Sequence, residues 1–174
     1  TAECRLLTGG RWLSIAPMSG PRADACSVVL DGELWVLSGC DSAGTDLVTV
    51  ERWCPEANAW RSCPSVLEAR YRFCAGVVGG SLVVAGGFGD AGRLASAEAF
   101  RPATGWTALP PMPLAVNLAT SVVLGERLYV AGGAGGRGDG VNGDKLQMWD
   151  GTAWTFKADL PAARQQAASV AVDG

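Results

Sequence analysis

The sequence predicts an all-β chain of repeated four-stranded antiparallel units, and three observations carry that prediction. Tryptophans recur at a near-constant interval: Trp12, Trp60, Trp106 and Trp154 are spaced 48, 46 and 48 residues apart. Other positions keep the same register. Met18, Val66, Met112 and Leu160 stand six residues after each Trp, and Arg22, Arg70, Val116 and Arg164 stand ten after. Gly39, Gly86 and Gly132 recur at 47 and 46. Trp35 lies outside this register, so the match is not mere Trp abundance. Finally, each period reads as short apolar runs cut by turn residues, with no stretch of helical period. Units of this length and pattern stack as the blades of a β-propeller.

The elements follow in order. Residues 2–7 and 11–15 read as the third and fourth strands of a leading partial unit, about 1–18. The first complete unit, about 22–66, opens with the apolar run Ala25–Leu30, the pair Asp31-Gly32 and a second run Glu33–Ser38. Asp-Gly between two apolar runs predicts a type I′ hairpin, because both central residues need positive φ. A polar loop, Cys40–Asp46, leads to a third strand, Leu47–Trp53, a turn at Cys54–Asn58 and a fourth strand opened by Trp60. Two further units, about 70–112 and 116–160, repeat this plan with Gly79-Gly80 and Gly125-Glu126 at the first turn. Arg164–Val172 reads as the first strand of a fifth, partial unit, about 164–174, followed by Asp173-Gly174. The expected architecture is three complete blades and two partial ones.

Composition bounds the function. The chain has 174 residues with 14 Lys+Arg, 17 Asp+Glu and a net charge of −3. Nucleic-acid binding needs a basic surface that displaces counterions, so no such partner is expected. Apolar residues make up 48 % and charged residues 18 %, enough to bury a core. Apolar runs of about five residues fall far short of the ~20 of a membrane helix, so no membrane insertion is expected. The chain has no histidine, which removes imidazole metal sites, Ser-His-Asp triads and Cys-His pairs. The cysteines at 4, 26, 40, 54, 63 and 74 lack the close pairing of a zinc or redox motif. They read as unpaired packing residues, which with no signal peptide and no glycosylation sequon leans toward a cytoplasmic setting.

The segments SVVLDGELWVLSG, AGVVGGSLVVAGG and TSVVLGERLYVAGG resemble the first half of a kelch repeat, including the Gly pair that ends its second strand. VERWCPEANAW and AEAFRPATGW resemble its aromatic, turn and spaced Trp. The resemblance covers essentially the whole chain and departs from the pattern at Gly39-Cys40 and at Val116. It implies a propeller that closes as a ring of several blades. Four readings of this length stand: a fragment, a longer chain given in part, a ring completed by another copy, or a four-bladed closure.

Antiparallel alternation places the loops between second and third strands on one rim, with the connections into each first strand. These loops, Cys40–Asp46, Gly87–Leu94 and Gly133–Gly143, are long and differ in every unit, whereas the opposite turns are short. Variable polar loops on a rigid scaffold are where binding sits. The candidate surface is Asp41, Asp46, Asp90, Arg93, Arg137 and Asp139 in the loops, with Asp24, Tyr71, Arg72, Asn117, Gln165 and Gln166 entering the first strands. In kelch-repeat substrate adaptors the residue two after the repeated arginine reaches the ligand; here it is Asp24, Arg72, Leu118 or Gln166. The arginines themselves read as structural, satisfying carbonyls between blades, and the register tryptophans as packing.

Several motifs have a chemical look. Gly133–Gly138 spells G-x-G-x-x-G, but the dinucleotide fingerprint needs a helix next, and a strand is expected. Arg137-Gly138-Asp139 spells the integrin tripeptide, relevant only outside the cell. Asp139, Asn142 and Asp144 lack the spacing of a Ca²⁺ loop. No catalytic residue, cofactor or metal site is expected. The reading is a non-catalytic scaffold that docks another protein or peptide, as the resemblance to ubiquitin-ligase adaptors and assembly subunits implies. The alternative from the same resemblance is a carbohydrate-active propeller enzyme such as a sialic-acid mutarotase.

Overall fold

A computed structural model describes residues 4–8, 11–135 and 143–172, with side chains from residue 14 onward. The described residues are all-β. The hairpin β1 (Cys4–Thr8) and β2 (Arg11–Ile15) pairs antiparallel, with Leu7 opposite Trp12. Next come β3 (Cys26–Leu30), β4 (Glu33–Leu37), β5 (Val50–Cys54) and β6 (Ala59–Cys63), one antiparallel sheet in that order. The second complete blade contains β7 (Cys74–Val78) and β8 (Ser81–Ala85), then a two-stranded loop of β9 (Phe88–Gly89) and β10 (Gly92–Arg93). It closes with β11 (Ala97–Arg101) and β12 (Gly105–Leu109). The third begins after β13 (Val116–Asn117) and holds β14 (Thr120–Leu124) and β15 (Arg127–Ala131). Beyond β16 (Ala134–Gly135) it finishes with β17 (Leu146–Trp149) and β18 (Trp154–Phe156). The three sheets make three complete propeller blades with innermost strands β3, β7 and β14 side by side.

The predicted I′ turns form. Their central residues have φ of 52° and 77° at Asp31-Gly32, 55° and 70° at Gly79-Gly80, and 52° and 59° at Gly125-Glu126. Each turn matches the right-handed twist of its strands. Blades stack through apolar faces. Trp35, Leu37 and Val50 of the first meet Leu82, Val84 and Phe100 of the second. Val83, Ala85 and Ala97 of the second meet Leu128, Val130 and Trp149 of the third. Trp106 and Trp154 are 9 % exposed, and Trp106 Nε1–H donates to the Pro64 carbonyl of the preceding unit at 2.8 Å. Trp60 Nε1–H makes the same bond to the Ala16 carbonyl at 3.0 Å. Trp60 and Trp106 therefore pin their outer strands to the unit before, whereas the Trp154 indole N–H finds no acceptor among the described residues.

The structure corrects the glycine register. The equivalents of Gly86-Gly87 and Gly132-Gly133 are Ser38-Gly39, not Gly39-Cys40. In each pair the second N–H donates to the carbonyl that precedes the next blade: Gly39 to Arg70, Gly87 to Val116, Gly133 to Arg164. The first residue has positive φ, 52° at Ser38 against 66° at Gly86. A Cβ on Gly86 would lie 2.7 Å from the Val116 carbonyl oxygen. Ser38 tolerates the position because its hydroxyl lies 2.8 Å from the Arg70 carbonyl and bonds at the contact.

Three other expectations shift. The second leading strand, Arg11–Ile15, falls where expected, while the first, described from Cys4, runs on to Thr8 rather than ending at Leu7. The third strand of the first complete blade starts at Val50, not Leu47, because Leu47 N–H turns back to the Gly39 carbonyl. Arg164–Val172 is not a strand. It runs beside β14, with Gln166 N–H donating to the Leu118 carbonyl and Ser169 Oγ–H to the Ser121 carbonyl. No second strand among the described residues gives it a ladder, and Val170 and Val172 stay 80 % and 78 % exposed.

Candidate interaction rim

The long loops and the first-strand entries share one rim, because backbone bonds tie them. Ala23 exchanges bonds with Cys40 and Tyr71 with Phe88, and β13 pairs with β16. One residue further on, Asp24, Arg72, Leu118 and Gln166 all adopt left-handed φ, between 53° and 58°. This geometry costs a non-glycine residue roughly 1–2 kcal/mol. It is held by a ladder that crosses the blades: Arg72 N–H donates to Asp24, Leu118 N–H to Arg72 and Gln166 N–H to Leu118, at 2.8–3.0 Å. The ladder sets the four side chains side by side around one groove, whose walls include Cys26 and Phe73.

One ion pair bridges two blades on this rim. Arg72 Nε lies 2.9 Å from Asp24 Oδ2, a bridge from the second complete blade to the first, and its guanidinium sits 5.4 Å from the Tyr71 ring centroid. Tyr71 packs on Phe88 with centroids 5.6 Å apart. Arg93 Nε–H donates to Asn117 Oδ1 at 3.3 Å across the next seam. Asn117 is only 7 % exposed, so it braces the rim from beneath. Asp41 Oδ1 accepts the N–H groups of Ala43 and Thr45; the Thr45 bond above all holds its carboxyl below the usual range. Asp46 moves the other way, raised by desolvation and by the nearby Asp90 charge. Gln165 and Gln166 are exposed at the end of the ladder. Arg137 and Asp139 lie outside the described residues, as do Gly138 and Asn142. Within the G-x-G-x-x-G stretch, Ala134–Gly135 forms β16, and no helix occurs among the described residues.

Beneath the rim two of the repeated arginines satisfy carbonyls as expected, but within their own blade rather than between blades, and they pair with carboxylates that the sequence reading did not single out. Arg22 binds the Ser38 and Thr49 carbonyls and ion-pairs with Glu51. Arg70, fully buried, binds the Gly86 and Ser96 carbonyls and Glu98. Each carboxylate then holds the linker into its blade: Glu51 accepts from Ser19 N–H and Oγ–H, Glu98 from Leu67 and Glu68 N–H. In the third blade Val116 replaces the arginine and Gln147 the carboxylate, and the Gln147 amide binds both N–H and C=O of Leu114. A recurring signal existed: Glu51, Glu98 and Gln147 are spaced 47 and 49 residues apart in otherwise apolar strands. Arg164 differs, being exposed with its Nε–H on the Ala162 carbonyl.

Three stacked blades with paired loops on one rim define a repeat-built β-propeller. A family profile described as Kelch motif matches residues 21–67 and 69–113. The chain belongs to the kelch-repeat family. It is 31 % identical over 155 residues to Kelch-like protein 35 of Mus musculus, covering 87 % of this chain and 26 % of that protein. Identity to Kelch-like protein 34 of Homo sapiens is 31 % over 173 residues, covering 88 % of this chain and 27 % of the relative. Kelch repeat and BTB domain-containing protein 12 of Danio rerio is 32 % identical, with coverages of 87 % and 28 %. The chain thus spans little more than a quarter of these relatives. A solved structure, "Structure of YjhT", superposes with a TM-score of 0.75 at 19 % identity, covering 89 % of this chain and 57 % of that one, and shares the fold.

Proposed function

We propose that the chain is a non-catalytic docking scaffold whose long-loop rim receives another protein or peptide. The observation that carries the reading is the cross-blade ladder: four left-handed residues present adjacent side chains on one groove, on the rim with the variable loops. Backbone strain concentrates where function maintains it, and scaffold-mounted loops are the usual binding elements. Relatives with kelch-like names support protein partners. The relative whose name joins kelch repeats to a BTB domain supports the finer reading, recognition within an adaptor or larger assembly.

The test compares proteins captured by the native chain with those captured by a rim double variant, Arg72→Glu with Arg93→Glu. A control variant, Glu56→Lys, changes the charge of a turn on the opposite rim. The expected result is loss of the captured partner in the rim variant alone, with the fold retained and only a small fall in melting temperature from the lost exposed Arg72–Asp24 pair. Equal loss from the control would overturn the assignment.

A further inference from the structure

We propose that the chain associates head to tail with a second copy of itself. The segment 164–172 of one copy docks on the outward face of β3 and β4 in the next. Head and tail carry, unmet, the two halves of the contact that joins each complete blade to its neighbour. The contact uses backbone groups and strand side chains, not the rim side chains offered to another protein.

Two series of hydrogen bonds cross the blades, and each stops with a donor unmet at the head and an acceptor unmet at the tail. In the rim ladder Arg72 N–H donates to Asp24, Leu118 N–H to Arg72 and Gln166 N–H to Leu118. Among the described residues Asp24 N–H has no acceptor and the Gln166 carbonyl no donor. Three residues further on, Ser121 Oγ–H donates to the Ala75 carbonyl and Ser169 Oγ–H to the Ser121 carbonyl. Ser27 holds the same position in β3. Its residue is exposed, its hydroxyl has no partner among the described residues, and the Ser169 carbonyl accepts no bond from them. Asp24, Arg72, Leu118 and Gln166 are spaced 48, 46 and 48, and so are Ser27, Ala75, Ser121 and Ser169. Placing Gln166 of one copy beside Asp24 of the next therefore extends both series by one step, and each unmet backbone group gains a partner.

The apolar side chains match in the same register. Leu34 stands where Leu82 and Leu128 stand in the later blades; those two are 0 % exposed, whereas Leu34 is 37 % and its neighbour Val29 is 64 % exposed. At the tail Val172 repeats Leu30 and Val78, which are 3 % and 6 % exposed, yet it is 78 % exposed. One chain's tail thus leaves its own head uncovered, and uncovered apolar strands invite pairing with another chain. Charge agrees. Arg22 and Arg70 are buried against Glu51 and Glu98 of their own blades, but Arg164 is exposed with no carboxylate partner among the described residues. Glu3 stands 48 residues before Glu51 and continues the carboxylate series in the sequence, so the receiving copy carries the residue type that Arg164 lacks. Because head and tail are different surfaces, association runs past the dimer until a ring closes.

The experiment is sedimentation of the whole chain over a concentration series, with two variants. Val29→Asp disables the head and Val170→Asp the tail; both residues are exposed, so the fold and melting temperature should hold. Wild type is expected to assemble beyond the dimer by about 100 μM, the range of a weak specific contact. Each variant alone should stay monomeric. An equimolar mixture should form dimers and nothing larger, since the tail of Val29→Asp still fits the head of Val170→Asp. A monomeric wild type, a single variant that associates as wild type does, or a mixture that stays monomeric would each overturn the proposal.

Discussion

Arg70 and Glu98 face each other at 2.8 Å, with side chains 0 % and 3 % exposed. The pair joins the entry of the second complete blade to its third strand, and Glu98 also holds the N–H groups of Leu67 and Glu68. Breaking one member of such a buried pair costs about 3–5 kcal/mol, because the other charge is stranded. Glu98→Ala should therefore lower the unfolding free energy by about that much in urea titrations.

The third blade supplies the matching double replacement, Val116 with Gln147. Arg70→Val combined with Glu98→Gln should cost clearly less than the sum of the two single changes, with a coupling of at least ~1 kcal/mol in a double-mutant cycle. Additivity within ~0.5 kcal/mol would mean that the two side chains act independently.

Trp106 fills the seam between the first two complete blades, against Phe100 at 5.4 Å, and donates to the Pro64 carbonyl. Trp106→Ala should cost about 3–5 kcal/mol, as large aromatic truncations do. A loss below about 1 kcal/mol would show that the register Trp do not hold the blades together.

Gly76 sits on the inner strand β7 where the third blade approaches. A Cβ there would lie 2.6 Å from Val123 Cγ2 and 2.8 Å from Leu128 Cδ1. Gly76→Ala should destabilise by about 1–3 kcal/mol through overpacking. Gly20, whose Cβ would meet nothing within 4 Å, is the control and should tolerate Ala.

Burial pushes the Cys26 and Cys74 thiols up to about 12, from an ordinary value of 9.0. Both stay neutral in the fold and ionise earlier in the unfolded chain. Their contribution to stability is full below pH 9 and is lost as pH rises toward 12, with a slope of up to ~1.4 kcal/mol per pH unit per thiol. Alkaline urea titrations of wild type and a Cys26→Ala, Cys74→Ala double variant should diverge above pH 9. Parallel curves would contradict the assignment.

Much of the fold is legible in the chain alone. The Trp interval, the two-residue turns and the alternating apolar runs are local signals, and local signals survive without tertiary context. The repeat also assigns the long loops to one rim, since antiparallel strands leave no other arrangement. The Ser38-Gly39 register is less legible, because a serine replaces the expected glycine and only its bond to the Arg70 carbonyl reveals the equivalence. The left-handed φ of Leu118 has no sequence signal of its own; it comes from hydrogen bonds to residues about 48 positions away.

The sequence by itself determined the blade plan, the turn chemistry and the absence of imidazole, because periodicity and residue type suffice for each. Only the tertiary structure decided which polar residues are engaged. It buried Asn117 beneath the rim, paired Arg72 with Asp24 across two blades, and left the Trp35 indole without an acceptor among the described residues. Those outcomes depend on how neighbouring blades meet. A repeat reads out its own hydrogen bonds within a unit, whereas the seam between two units takes half its atoms from each.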